Sequence, residues 1–203
     1  MSNESIIINP INQSINNQRR RLFGQGSKLA LSASAIALLA GNSKLALAAD
    51  SGAMAGDVAI LNVALGLEHE AINAYTLGAK SGLLQKGPLD VAVLFQSHHK
   101  GHRDALIATI EKMGGKPVAE KSLDDYAKAL KADTLKNQTD ILMLAAKLEL
   151  GATNAYLSVI PSFKNAELAK VAGRLAADET SHWTALQGAL GLPLPAMPLS
   201  FGA

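Results

Sequence analysis

Leu67-Glu68-His69-Glu70-Ala71-Ile72-Asn73-Ala74-Tyr75 is answered 81 residues later by Leu148-Glu149-Leu150-Gly151-Ala152-Thr153-Asn154-Ala155-Tyr156, so the frame Leu-Glu-x-x-x-x-Asn-Ala-Tyr occurs twice. A second frame, His99-x-x-His102-x-x-Ala105-Leu106, is answered 80 residues later by Glu179-x-x-His182-x-x-Ala185-Leu186. Nearly equal offsets imply an internal duplication. Each copy pairs a segment carrying one carboxylate with a segment carrying an i, i+3 pair that ends in His. Residues three apart share a helix face, so this pattern describes a metal site between the halves of a four-helix bundle.

Helical spacing decides whether these polar residues face inward. Around Glu68, the positions one to three turns away are Leu61, Ala64, Leu65, Ala71, Ile72, Tyr75 and Ala79. Around Glu149 they are Leu142, Ala145, Ala146, Ala152, Thr153 and Tyr156, with Ile160 a turn further. Phe95, Ala105, Leu106, Ile110 and Met113 flank His99 and His102, while Leu168, Val171, Leu175, Ala185, Leu186, Ala189 and Leu190 flank Glu179 and His182. Each ionisable group therefore sits inside an apolar stripe.

Four long helices are expected. The first runs from Asp57, as N-cap, to about Gly82; the second is bracketed by Pro88 and Gly114-Gly115; the third spans about Gln138 to Val159, before Pro161; the fourth spans about Ala166 to Gly191. No segment alternates with period two, which argues against strands. The polar stretch 116–137, with a short amphipathic piece at Leu123–Leu130, suits a crossover between two helical hairpins. The tail Leu192-Pro193-Leu194-Pro195-Ala196-Met197-Pro198 cannot be helical and is expected to pack outside the bundle.

Residues 1–48 read differently. A polar start with Arg19-Arg20-Arg21-Leu22-Phe23 precedes an apolar, small-residue run from Leu29 to Ala40 and then Ala46-Leu47-Ala48, the order of an export signal. A membrane-spanning helix needs about 20 apolar residues, and Lys44 interrupts this run, so an uncleaved anchor is the lesser reading. The arginine pair resembles the twin-arginine export motif, although Leu22-Phe23 are inverted and no Ser or Thr precedes the arginines. The segment holds five of the 19 Lys/Arg and one of the 17 Asp/Glu, so the remainder, 49–203, keeps 14 basic and 16 acidic residues, net −2. That remainder suits one domain. It offers no basic surface for nucleic acid. With no cysteine, disulfides and thiolate ligands are excluded.

Three glutamates in one core are costly and repel one another unless something positive lies among them. Lys80, Lys100, Arg103, Lys147 and Arg174 fall off the stripes, which leaves a divalent metal. All five histidines, His69, His98, His99, His102 and His182, lie on or beside these segments.

At this point the sequence resembles the ferritin-like superfamily in a secreted form. The resemblance covers the whole 49–203 bundle and rests on the four-part ligand constellation. It implies a dinuclear site with one Glu from each of two helices and a Glu-x-x-His from each of the others. Glu68 and Glu149 match the single glutamates, and Glu179-x-x-His182 matches one Glu-x-x-His. The other reads His99-x-x-His102, with an imidazole where the family has a carboxylate. The expected ligands are thus Glu68, His99, His102, Glu149, Glu179 and His182. One arrangement gives Glu68, His99 and His102 to one metal and Glu149 and His182 to a second, with Glu179 between. Three carboxylates against two divalent ions favour unequal sites, with one or two ions per chain.

Carboxylate and imidazole ligands suit iron or manganese, whereas raw affinity alone would favour copper or zinc; the export signal implies a periplasmic or secreted protein without a stable membrane anchor once the signal is cleaved. A redox or peroxide- and oxygen-handling role in envelope stress is one reading. The competing reading is a structural or interaction bundle whose metal only stabilises the fold or has been lost, with His99 a packed substitute. A homo-oligomer is left open. His69 and His98 are expected to be exposed or beside the ligands rather than among them; Tyr75 and Tyr156 to serve packing, with a bond to a ligand carboxylate or an electron-donor role as the sharper alternative; and Asp178 to lie on the surface.

Overall fold

The computed structural model describes residues 51–202, with side chains from Met54 onward; the export signal expected over 1–48 lies outside them. Among the described residues the secondary structure is wholly helical. The long helices are α1 (Ser51–Lys80), α2 (Lys86–Lys112), α4 (Gln138–Val159) and α5 (Ala166–Leu190), with the short α3 (Leu123–Ala129) in the crossover. None is long and apolar enough to cross a membrane. The closest pairings are α1 with α2 and α4 with α5, giving two hairpins linked by the crossover.

The stop signals act as the sequence suggests. Gly82 and Gly191 have φ of +72° and +66° just past α1 and α5, a left-handed turn that costs glycine little. Asn137 and Asn165 cap α4 and α5 by accepting from the backbone N–H of Asp140 and Glu167. Asp57 departs from expectation. It is no N-cap, since the helix already runs from Ser51. Instead it is buried inside α1, where its carboxylate accepts from the N–H groups of Lys164 (3.1 Å) and Asn165 (3.2 Å) ahead of α5. An acid near the start of a helical pattern reads as a cap until the remote donors come into view.

The asparagine of the duplicated frame anchors a connecting strand of chain in both copies. Asn73 donates to Glu120 in the crossover (2.6 Å), and Asn154 accepts from the Gly202 N–H in the tail (2.8 Å). Asn62 adds a second clasp to the crossover, bonding both Lys116 O and the Val118 N–H. The ring of Phe201 meets Trp183 edge-on, 5.3 Å between centroids.

Most apolar packing falls into two clusters along the bundle, with Leu67 and Ala155 forming a small third. One contains Leu61, Leu65, Leu106, Ile110, Tyr156, Leu168 and Leu175; the other contains Tyr75, Phe95, Leu142, Ala146, Trp183 and Leu186. On every long helix the repeated polar residues fall between the two. A belt of charge is thereby closed at both ends by hydrocarbon, which keeps water out and strengthens every electrostatic interaction within it. Val171 and Ala105 prove exposed, and Ala172 takes the inward position on α5.

Candidate metal centre

Glu68, His99, Glu149, Glu179 and His182 are each at most 3% exposed, and the His102 side chain is 12% exposed, so all six expected residues converge on one interior space. They form two overlapping groups: Glu68, His99, His102 and Glu179, and His99, Glu149, Glu179 and His182. Within each group the ligand-type atoms lie within 4.8 Å of one another. Glu179 belongs to both, with Oε1 3.2 Å from His102 Nδ1 and Oε2 3.1 Å from His182 Nδ1.

His99 also belongs to both groups. Its Nδ1 lies 2.8 Å from Glu68 Oε2 and its Nε2 3.2 Å from Glu149 Oε1, so the ring spans the two duplicated glutamates. Glu179 Oε2 stands 3.7 Å from the same Nε2. Two ring nitrogens facing two carboxylates are best satisfied when both carry hydrogen. Burial disfavours the charged ring, but the bonds to Glu149 and Glu68 outweigh it and push the His99 pKa up to about 11. His102 is pushed up to about 10: burial opposes the charge, and Glu179 and Glu68 overcome it. His182 moves up as well, against burial, through Glu149 and Glu179.

The glutamates respond unequally. Burial works to raise Glu68 and Glu149, yet their histidine partners hold both below the ordinary carboxylate range. Glu179 goes the other way, because burial there exceeds the pull of His102 and His182.

Second contacts fix these rings, and they cross between the two copies. Tyr75 donates to Glu149 and Tyr156 donates to Glu68, so each repeated tyrosine holds the other copy's glutamate. The bonds seen are those of the sharper sequence alternative. Burial, followed by the nearby carboxylates, raises both phenols well above their ordinary range, so they remain donors. His98 Nδ1 lies 2.9 Å from His182 Nε2, and Asp178 Oδ2 lies 3.3 Å from His102 Nε2. In both rings Nδ1 faces the cluster while Nε2 is held from outside. Positions 98 and 178 are themselves related by the 80-residue offset, the one sequence signal that could have found them. Phe95 stacks on the His182 ring with centroids 4.1 Å apart.

His98 is exposed, as expected, and still touches the centre. His69 is not exposed and belongs to neither ligand group. It is buried beneath the crossover, with Nε2 3.3 Å from Val118 O. Glu70, whose counterpart in the second copy is Gly151, is also buried, and burial raises its pKa.

The cluster's own unmet valences test whether a metal suits it. Outside the cluster His69 Nδ1 is buried without a hydrogen bond; within it, His102 Nδ1 and Glu179 Oε1 face each other at 3.2 Å and Glu149 Oε2 faces His182 Nδ1 at 3.5 Å, buried contacts without the alignment of a hydrogen bond. Those within the cluster are ligand-type atoms of the two groups, and buried polar atoms seldom stay unpaired in folded proteins. Imidazole nitrogen with carboxylate oxygen suits iron, manganese or zinc. These residues fit a divalent ion.

The family model for a ferritin-like domain matches residues 56–192, most of the described chain. No curated protein and no solved structure matches the sequence. With the all-helical bundle, the two hairpins and the buried Glu/His belt in place, that match establishes that the chain belongs to the ferritin-like domain family.

Proposed function

We propose that this is an exported ferritin-like protein whose core holds iron or manganese through Glu68, His99, His102, Glu149, Glu179 and His182, and that it handles peroxide or oxygen in protection of the cell envelope. The observation that carries the metal is the convergence of three buried glutamates and three histidines into two overlapping groups whose ligand-type atoms lie within 4.8 Å of one another. The export and envelope parts rest on the twin-arginine-like sequence ahead of residue 49. When bound, such an ion supplies one-electron redox chemistry at the carboxylate belt. The chain's part is to orient and insulate. Tyr75 and Tyr156 pin the glutamates, Asp178 and His98 set the imidazole rings, and the apolar clusters keep the belt dry.

One observation favours a second reading, in which metal is dispensable. Three glutamates face three histidines, and protonated imidazoles can neutralise the belt without any ion. Metal analysis of protein purified after export, covering iron, manganese, zinc and copper, separates the two. Glu179→Ala then tests function: loss of both metal and metal-dependent peroxide or oxygen consumption supports a working centre. Native protein that is metal-free, and gains nothing in Tm from added metal, supports the second reading.

A further inference from the structure

Past the carboxylate belt, toward the C-terminal end of α1, lies a cavity of about 360 Å³ that opens to solvent where Gly87, Val91, Ala185 and Ala189 are exposed. All four long helices and the crossover contribute to its wall. Every lining side chain is apolar except Tyr75, whose hydroxyl is already committed to Glu149. A water needs only about 15 Å³ of such space but two to four polar partners, and among the described residues the wall offers no polar side chain besides Tyr75. Interiors of folded proteins are otherwise close-packed, with few voids larger than a water molecule. A space this large and this apolar, walled by five segments, suits an occupant made of hydrocarbon.

Between cavity and belt stand two aromatic side chains, each a single ring thick. Tyr75 and Phe95 both line the cavity. On their other sides Phe95 stacks on His182, and Tyr75 lies 5.6 Å from the His99 ring and bonds Glu149. We propose that the cavity is a binding site for an uncharged, hydrocarbon-rich small molecule, held one aromatic ring away from the Glu/His belt. Among the described residues no lysine or arginine stands on the wall, which sets the charge: a carboxylate or phosphate group inside the cavity would have no cationic partner. Val91, exposed at the start of α2, and Ala185, on α5, stand on its wall.

Binding is independent of the metal reading, so it is tested on the full chain both chelated and metal-loaded. N-phenyl-1-naphthylamine, uncharged and fluorescent in apolar surroundings, should bind saturably to both forms at about one per chain. 1-Decanol should displace it, and decanoate should do so at least about tenfold less well. Ala185→Phe adds a ring to the cavity wall and should weaken the probe about tenfold without changing the circular dichroism. Val91→Glu, at a position where folding is not at stake, should weaken it similarly. Non-saturable binding overturns the proposal, as does decanoate matching decanol or an unchanged affinity in both variants. A chain whose cavity is closed by self-association, shown by a dimer that takes no probe at any dilution, also overturns it.

Discussion

Adding a divalent metal to the metal-free protein should expel protons, and the number can be worked from the histidines. At pH 7 the His99 and His102 rings, held at about 11 and about 10, both carry two hydrogens. A ring must give up one of them before its nitrogen can bind a metal. Loading both groups therefore releases at least two protons, and a third if His182, also shifted upward, is protonated beforehand. By linkage, release of two protons makes the overall affinity rise about a hundredfold per pH unit between pH 7 and 9. Manganese or zinc can be titrated calorimetrically at one pH in two buffers of different ionisation enthalpy; the difference in heat counts the protons. A count below one would refute the reasoning, because the belt would then be neutral before metal arrives. A count of two or three that falls by one in His99→Gln would identify His99 as one of the proton sources.

Without metal, the same two rings should make stability depend on alkaline pH. Their folded pKa values lie above the ordinary imidazole value near 6.5, so the stabilisation is complete below about pH 6.5 and is lost as pH rises through 10 and 11; Tm followed by circular dichroism should drop over that interval, and a flat profile would contradict it. Tyr75→Phe and Tyr156→Phe each remove a bond to a buried carboxylate and should cost about 1.5–3 kcal/mol apiece in denaturant melts of the metal-free protein, with similar losses because the two bonds are related by the duplication. Asp57→Ala leaves the Lys164 and Asn165 N–H groups without their acceptor and should cost about 2 kcal/mol, whereas Asp57→Asn should recover part of it. Gly115→Ala should destabilise by about 1–3 kcal/mol, since a Cβ there meets Val58 Cγ1 at 2.6 Å; unchanged melting would show that Val58 yields freely.

Much of the fold was legible because it is written in local chemistry. Asn137 before Gln138 and Pro161 after Val159 delimit α4 with ordinary capping and breaking signals, and α4 has the bounds that those signals suggest. The inward placement of Glu68, Glu149, Glu179 and His182 followed from their neighbours at helical spacing. What stayed hidden depends on contacts between segments far apart in sequence. Nothing near Asp57 announces that its donors lie on the approach to α5. His69 sits at a stripe edge by periodicity, and only the crossover folding over α1 buries it. The partners of His102 and His182, Asp178 and His98, each come from the opposite copy, so neither is visible within one helix.

The crossed tyrosines bind two unlike hairpins into one unit, and the unlikeness sets the charge of the interior. Two copies of the first hairpin would bring two belt carboxylates, Glu68 twice; two copies of the second would bring four, Glu149 and Glu179 each twice. Only the mixed pair yields three. Joining both hairpins in a single chain makes that odd number obligatory, since neither half can exchange its partner for a twin. The covalent link thus acts as a fixed stoichiometry of anions, one that free hairpins assembling at random could not maintain.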